Sequence, residues 1–312
     1  MRYSVGIIGL GMIGAKYDLE DPDYEEPLTH LSSFYRNQNF KLEFIHDKSE
    51  KIKDLIKNKY HDINFVQFLE DASPGTEIIV IATEASGRYK LVKKILSIFS
   101  PRVILIEKPV ANSIDETLKI FNICNKKKIN VLINFPRSHH PETKAIKRII
   151  SQRKPSCVTG YLSLTGDIFH NGIHFLDLIN TLLGKVSNII KHDTHYELIL
   201  NNGTIIFKHL SSNFKYSNFS GKFFFDDFSV SFPSNSKNQF YDISKSTSSL
   251  AYKGYIELKY ENFNKPFVSR RQGDVVDSLV NFLNNGDNEN FISSEEYINL
   301  VSLFLDVLDD KE

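Results

Sequence analysis

Six residues near the amino terminus have the spacing of an anion-binding turn. Gly9-Leu10-Gly11-Met12-Ile13-Gly14 reads G-x-G-x-x-G and follows an apolar run containing the β-branched Val5, Ile7 and Ile8, the order that a strand, a tight turn and a helix start would give together. Gly9 suits the turn, Gly11 has no Cβ to hold a phosphate off the backbone, and Gly14 lets helix and strand pack closely, while N–H groups at the helix start, Met12 and Ile13 among them, face the anion. The chemistry is pyrophosphate binding and the ligand a dinucleotide, although glycine-rich turns of this kind also occur without one. Asp47 ends the next strand-like run, KLEFIH. A carboxylate there can accept hydrogen bonds from both ribose hydroxyls and repels a 2′-phosphate, which favours NAD. Lys48 beside it can receive a 2′-phosphate, so NADP stays as the alternative, and Asp47 could equally cap a helix starting near Ser49.

A second group of polar residues stands at the ends of later apolar runs: Thr83-Glu84, Glu107-Lys108-Pro109, and Asn134 through Pro141. Pro109 fixes the backbone just after a buried strand, and a cis bond there would aim Lys108 into the cleft where a nicotinamide and its substrate meet. The plainer reading of Glu107 and Lys108 is a surface ion pair at a strand end.

The elements that must position these residues alternate. Strands are expected at 41–46, 77–82, 102–106 and 130–134, with helices at 28–37, from about 49, at 86–99 and at 113–127, the last capped by Ser113 with Glu116 in the capping-box position. Strands separated by helices imply a doubly wound parallel sheet whose ligands sit beyond the carboxyl ends of the strands. Residues 16–27, KYDLEDPDYEEP, are acidic and carry two prolines. They are read as an inserted surface loop or as a lid beside the cofactor, and they lengthen the gap between the glycines and Asp47.

From Pro155 the pattern changes to a strand at 156–164, a helix at 169–183, and strand-like runs at 196–200, 204–210, 222–225, 229–232 and 255–260. Asn201-Asn202-Gly203 forms a hairpin turn, and two closing helices span 274–284 and 293–308. The polar stretch 234–249 reads as a loop. The fold class is therefore α/β: a Rossmann domain at 1–137, then an α+β domain with a mostly antiparallel sheet at 138–312 for substrate binding and oligomerisation, with the closing helices able to pack back on the first domain.

Lys plus Arg and Asp plus Glu both number 38 in 312 residues. That balance argues against a general nucleic-acid or membrane binder and for a small-molecule partner. Cys124 and Cys157 lack C-x-x-C spacing, which suits core thiols in a reducing cytoplasm. The first apolar run is interrupted by glycine and has no small-x-small cleavage site, so it is not read as a signal peptide.

Together these pieces resemble the Gfo/Idh/MocA family of NAD(P)-dependent oxidoreductases. The likeness is carried by GLGMIG at 9–14, Thr29-His30-Leu31, Asp47, Glu107-Lys108-Pro109, NFPRSHHP at 134–141 and HNGIHFLD at 170–177. It implies hydride transfer between NAD(H) and a carbinol or keto carbon of a sugar, a nucleotide-linked sugar of surface-glycan biosynthesis, in a cytoplasmic homodimer or homotetramer. A free polyol or inositol dehydrogenase and a catalytically altered cofactor-binding protein are the alternatives. By that likeness Lys108 lies beside the nicotinamide and His174 is the acid/base. Arg137, whose fork of donors suits a diphosphate, and Asn171 are candidate substrate contacts; Arg137 could also be a surface ion pair. Two departures stand out. Thr83-Glu84 replaces the family's Thr-Pro, and His170 stands where the family has aspartate, one helical turn before His174. His170 shares a helix face with His174 but brings no permanent negative charge. The pair has metal-ligand spacing without H-E-x-x-H or a third ligand, so no metal is expected.

Overall fold

The computed structural model describes residues 2–20, 26–210, 214, 218–232, 242–248, 256–261 and 270–309. In chain order its strands and helices are β1 (Tyr3–Ile8), a π-helical turn (Met12–Lys16) running into α1 (Tyr17–Glu20), α2 (His30–Arg36), β2 (Phe40–His46), α3 (Glu50–Lys59), β3 (Ile78–Ile81), α4 (Arg88–Ile98), β4 (Val103–Glu107), α5 (Ile114–Lys126), β5 (Asn130–Asn134) and α6 (Pro136–His139). There follow α7 (Pro141–Arg153), β6 (Val158–Leu164), α8 (Ile168–Leu183), β7 (Val186–Lys191), β8 (Tyr196–Leu200), β9 (Gly203–His209), β10 (Phe219–Phe225), β11 (Phe228–Phe232), β12 (Asp242–Ser248), β13 (Ile256–Glu261), α9 (Gln272–Asn285) and α10 (Ser294–Asp309). The chain divides into two compact units, Met1–His139 with Arg270–Ile298, and His140–Ser269 with Asn299–Glu312.

The first unit holds a five-stranded sheet of order β2-β1-β3-β4-β5, with every pairing parallel. Its strands are continuous apolar runs because both faces are covered, and all of Ile78–Ile81 is buried. Val5, Ile7, Ile78, Val80, Val103 and Leu105 pack with Leu31 and Phe34 of α2, Ile52 and Ile56 of α3, and Val275, Val276 and Leu279 of α9 in one core. Successive strands run outward from β1 in opposite directions, so the order reverses between β1 and β3. In such sheets ligands bind beyond the carboxyl ends of the strands at that point, where Gly9 and Thr83 lie.

The second unit carries an eight-stranded sheet of order β13-β12-β11-β10-β6-β9-β8-β7, antiparallel except for the parallel β6–β9 pair. The alternation along β6, buried at Val158, Gly160, Leu162 and Leu164, turns one face to the core. Phe175 of α8 stacks on Phe219 at 3.5 Å and meets Phe207 edge-on, fixing the helix to that face.

Four expectations need correction. The helix after the glycines does not stop at Ala15 but continues to Glu20, because the buried Asp18 turns inward. Its carboxylate accepts the N–H groups of Leu28 and Thr29, both at 2.9 Å, and the hydroxyls of Thr29 and Ser32 at the start of α2. Of the expected loop at 16–27, residues 21–25 lie outside the described residues. The polar stretch 234–249 contains strand β12, whose serines pair with β11 and β13; residues 233–241 and 249 lie outside the described residues, as does Tyr255 at the head of the run read as 255–260. Strand β7 was not expected at all. Cys124 is buried, which pushes its thiol up to about 11, but Cys157 is exposed and donates to Asp226 at 2.8 Å. Among the described residues no helix is long and apolar enough to cross a membrane.

Candidate functional site

The glycine turn is built by contacts that fix each glycine differently. Gly9 has φ +95°, and a Cβ there would come 2.6 Å from the Thr83 amide nitrogen, so both backbone and space require glycine. A Cβ on Gly14 would lie 2.2 Å from the Gly9 carbonyl oxygen. Gly11 is different: its φ of −64° and ψ of −159° suit any residue, and nothing stands within 4 Å of an added Cβ. The fold itself makes no use of the missing side chain at position 11. Behind it, Ala15 is the first amide to bond back to the Gly11 carbonyl, at 2.9 Å, so the preceding amides form the polar end of the helix. These are the features of a cradle that a phosphate can approach closely.

Asp47 closes the other side of the turn. One carboxylate oxygen accepts the Leu10 amide at 2.7 Å and the other the Ser49 amide at 2.8 Å, so it braces the glycine turn and the short turn that leads into α3 at once. Each oxygen keeps a second lone pair for a hydroxyl. Lys48 is exposed, Met12 is exposed, and Ile13 is half-buried on the helical turn.

The Glu107-Lys108-Pro109 segment is held by two buried networks. The Glu107 carboxylate accepts from His30 Nε2 at 2.9 Å and from Asn134 Nδ2 at 2.5 Å, and the same amide donates to Gln272 Oε1 at 3.0 Å. Burial opposes the charge on Glu107, but the hydrogen bond and charge of His30, with help from Asn134, outweigh it and hold the carboxyl below its ordinary value. The second network is a buried guanidinium. Arg88 donates to the carbonyls of Thr83, Glu107 and Pro109, tying the segments that follow β3 and β4 to each other. Desolvation pushes Arg88 down to about 10, far above neutrality, so the cation persists. Tyr297 completes the frame by accepting the Val110 amide at 2.9 Å. The Lys108–Pro109 bond is cis, and Lys108 is half-buried.

In the second unit the histidines stand on the first turns of α8. Asp167 is its N-cap: one carboxylate oxygen accepts the His170 amide at 2.6 Å and meets His170 Nδ1 at 2.7 Å. Burial opposes the charge on Asp167, and the hydrogen bonds from the His170 amide and ring more than compensate, holding the carboxyl below its ordinary value. Asn171 donates to the Thr165 carbonyl at 3.3 Å. His170 is exposed, Asn171 and His174 are half-buried, and Asp177 is buried farther along the same helix.

The first unit thus brings Gly9, Gly11, Gly14, Asp47, Thr83, Glu107 and Lys108 to the carboxyl ends of neighbouring strands, with Arg137 half-buried on α6 just beyond β5. The second gathers His170, Asn171 and His174 on one helix. Sequence reasoning passed over Arg88, Asp167, Gln272 and Tyr297. A signal existed for two of them: Arg88 falls in register with Val92, Ile95 and Leu96 on the buried stripe of α4, and Asp167 stands immediately ahead of an apolar helical period, where N-caps belong. Among the described residues no group of three or more His, Cys, Asp or Glu is placed to hold a metal ion.

Residues 3–135 match a family model described as "Oxidoreductase family, NAD-binding Rossmann fold". No curated protein matches the sequence. Solved structures share the fold over nearly the whole chain. The dehydrogenase MviM from Clostridium difficile has a TM-score of 0.75 at 15% identity, covering 100% of both chains. A super-repressor mutant of Gal80p from Saccharomyces cerevisiae reaches 0.76 at 13% identity, covering 99% of this chain and 96% of that one. An oxidoreductase from Bacillus cereus reaches 0.72 at 14% identity, covering 99% and 98%.

Proposed function

We propose that the protein transfers a hydride between NAD(H) and a carbinol or keto carbon of a sugar, a reading supported by the match of residues 3–135 to a family model of NAD-binding Rossmann-fold oxidoreductases. The observation that carries the proposal is the glycine turn: a fold-required Gly9 and Gly14 flank Gly11, whose open Cβ position the protein's own packing does not use. NAD(H), when bound, supplies the hydride acceptor or donor. The amides of the turn hold its diphosphate, and Asp47 accepts from the ribose hydroxyls, which favours NAD over NADP. Lys108, held by the Glu107 and Arg88 networks, binds the substrate oxygen and stabilises negative charge on it. His174 takes the hydroxyl proton in the oxidative direction. Arg137 and Asn171 contact the substrate, and the fork of donors on Arg137, which suits a diphosphate, favours a nucleotide-linked sugar.

The test is a panel of nucleotide sugars, free polyols and inositols, followed at the NADH absorbance with wild type, Lys108→Ala and His174→Ala. Turnover in the wild type that falls at least ~100-fold in both variants supports the assignment; unchanged turnover in both rejects it. Tight NADH binding with no turnover across the panel would point instead to a cofactor-binding regulator, a reading that the likeness to Gal80p in fold keeps in view. The same proposal includes a homodimer or homotetramer in the cytoplasm. Tyr161 and Ile206, register neighbours on β6 and β9 and about half exposed, offer an apolar face for it, as does Phe224 on β10. Light scattering at micromolar concentration reads the oligomer directly.

A further inference from the structure

The turn that carries Asp167 is anchored more firmly than a helix cap needs. The segment leading to it is anchored on several sides: the Thr165 amide donates to the Asn218 carbonyl at 3.2 Å, the Asn218 amide donates to the Thr165 hydroxyl at 2.7 Å, and His209 Nε2 donates to the Gly166 carbonyl at 2.6 Å. Gly166 has φ +89°, and a Cβ there would come 2.4 Å from Asn171 Nδ2, so the turn that delivers Asp167 depends on glycine. From this fixed point a single carboxylate oxygen meets both the amide and the ring Nδ1 of His170.

A cap requires only the amide contact. The ring contact adds a chemical consequence. A carboxylate that accepts from Nδ1 makes that nitrogen the protonated one and leaves Nε2 as the basic nitrogen of the neutral imidazole, and it stabilises the imidazolium once Nε2 has taken a proton. His170 lies one helical turn before His174, so both imidazoles share a face of α8.

Resting on the proposed function, we propose that Asp167 is a positioning residue. It sets the tautomer of His170, and through His170 it supplies the negative charge behind the proton transfer at the substrate hydroxyl. The charge that an imidazole at position 170 lacks is thereby provided from three residues earlier in the chain.

The experiment separates cap from positioning. Asp167→Ser keeps a side-chain oxygen for the His170 amide and removes the carboxylate, while Asp167→Asn keeps an acceptor for both groups and removes only the charge. With 15N-labelled histidine, long-range 1H–15N spectra above pH 8, assigned against His170→Gln, should show His170 protonated at Nδ1 in the wild type and at Nε2 in Asp167→Ser. In turnover of whichever sugar the panel identifies, Asp167→Ser should lower kcat at least ~10-fold with KM changed less than twofold, and Asp167→Asn should fall between it and wild type. Melting temperatures of both variants should stay near that of the wild type. A wild-type His170 protonated at Nε2, or a kcat in Asp167→Ser equal to wild type, overturns the proposal. A panel without any turnover would defeat the functional reading, while the spectra would still decide whether Asp167 sets the tautomer.

Discussion

Replacing Gly11 and Gly14 by alanine, one at a time, should separate binding from folding within a single turn. At Gly14 the new methyl would sit 2.2 Å from the Gly9 carbonyl oxygen and 3.0 Å from its carbon. Both are backbone atoms that no side-chain rotation can move aside, so the turn must shift, at about 1–3 kcal/mol. For a unit of this size each kcal/mol lowers Tm by about 2–4 °C, which makes the loss easy to read by circular dichroism. At Gly11 the methyl meets nothing within 4 Å and the backbone angles are ordinary. Gly11→Ala should therefore change stability by no more than about 0.5 kcal/mol. It should weaken NADH at least ~10-fold by calorimetry, which is about 1.4 kcal/mol, because the methyl occupies the space through which the phosphate approaches the amides. Wild-type NADH affinity in Gly11→Ala, or a destabilisation as large as that of Gly14→Ala, would refute the reasoning.

Arg88→Met should be among the most damaging single changes in the first unit: it leaves the buried carbonyls of Thr83, Glu107 and Pro109 without their donor, at about 1–3 kcal/mol for each one left unsatisfied, and a Tm within about 2 °C of wild type, roughly 1 kcal/mol or less, would show the guanidinium to be dispensable. Glu107 has a depressed pKa, so its contribution is complete above the ordinary value of 4.5 and is lost as pH falls through its native value. Glu107→Gln should therefore be less stable than wild type at pH 7, by about 1.5–3 kcal/mol for a charge-assisted bond, with the gap closing below pH 4.5 in a series of urea melts; a pH-independent gap would contradict it. A thiol reagent should label native protein at Cys157 and spare the buried Cys124 until unfolding, with the hydrogen bond to Asp226, which raises the Cys157 pKa, slowing the reaction relative to an Asp226→Ala variant.

What the sequence made legible was local. The strands of the first sheet announce themselves because both faces are buried and their residues are apolar without interruption, as in Ile78–Ile81. The cap of α5 is equally local: Ser113 accepts the Glu116 amide at 3.2 Å, as its spacing implies. What stayed hidden depends on partners far away in the chain. β12, DISKSTS, carries almost no apolar signal and is a strand because β11 and β13 supply its hydrogen bonds. β7 buries only two of its six residues, Val186 and Ile189, too few to reveal a period. Asp18 looks like one more charge in an acidic run, and only the fold shows it turned inward onto α2.

The site divides along the same line. The glycines and Asp47 stand out as candidates in the sequence because spacing alone marks them. The support around Lys108 does not, since Glu107 is fixed by residues 77 positions before it and 27 after it. Asp167 is only three residues from His170, but an aspartate ahead of an apolar helix reads as a plain N-cap, and its contact with the imidazole appears only in the folded turn.

The most direct measurement is a calorimetric titration of the wild-type protein with NADH and, separately, NADPH. Binding of one NADH per chain, tighter than NADPH and weakened selectively by Gly11→Ala, is the predicted result. No heat with either nucleotide at millimolar concentration would contradict the central claim, and tighter binding of NADPH would overturn the role given to Asp47.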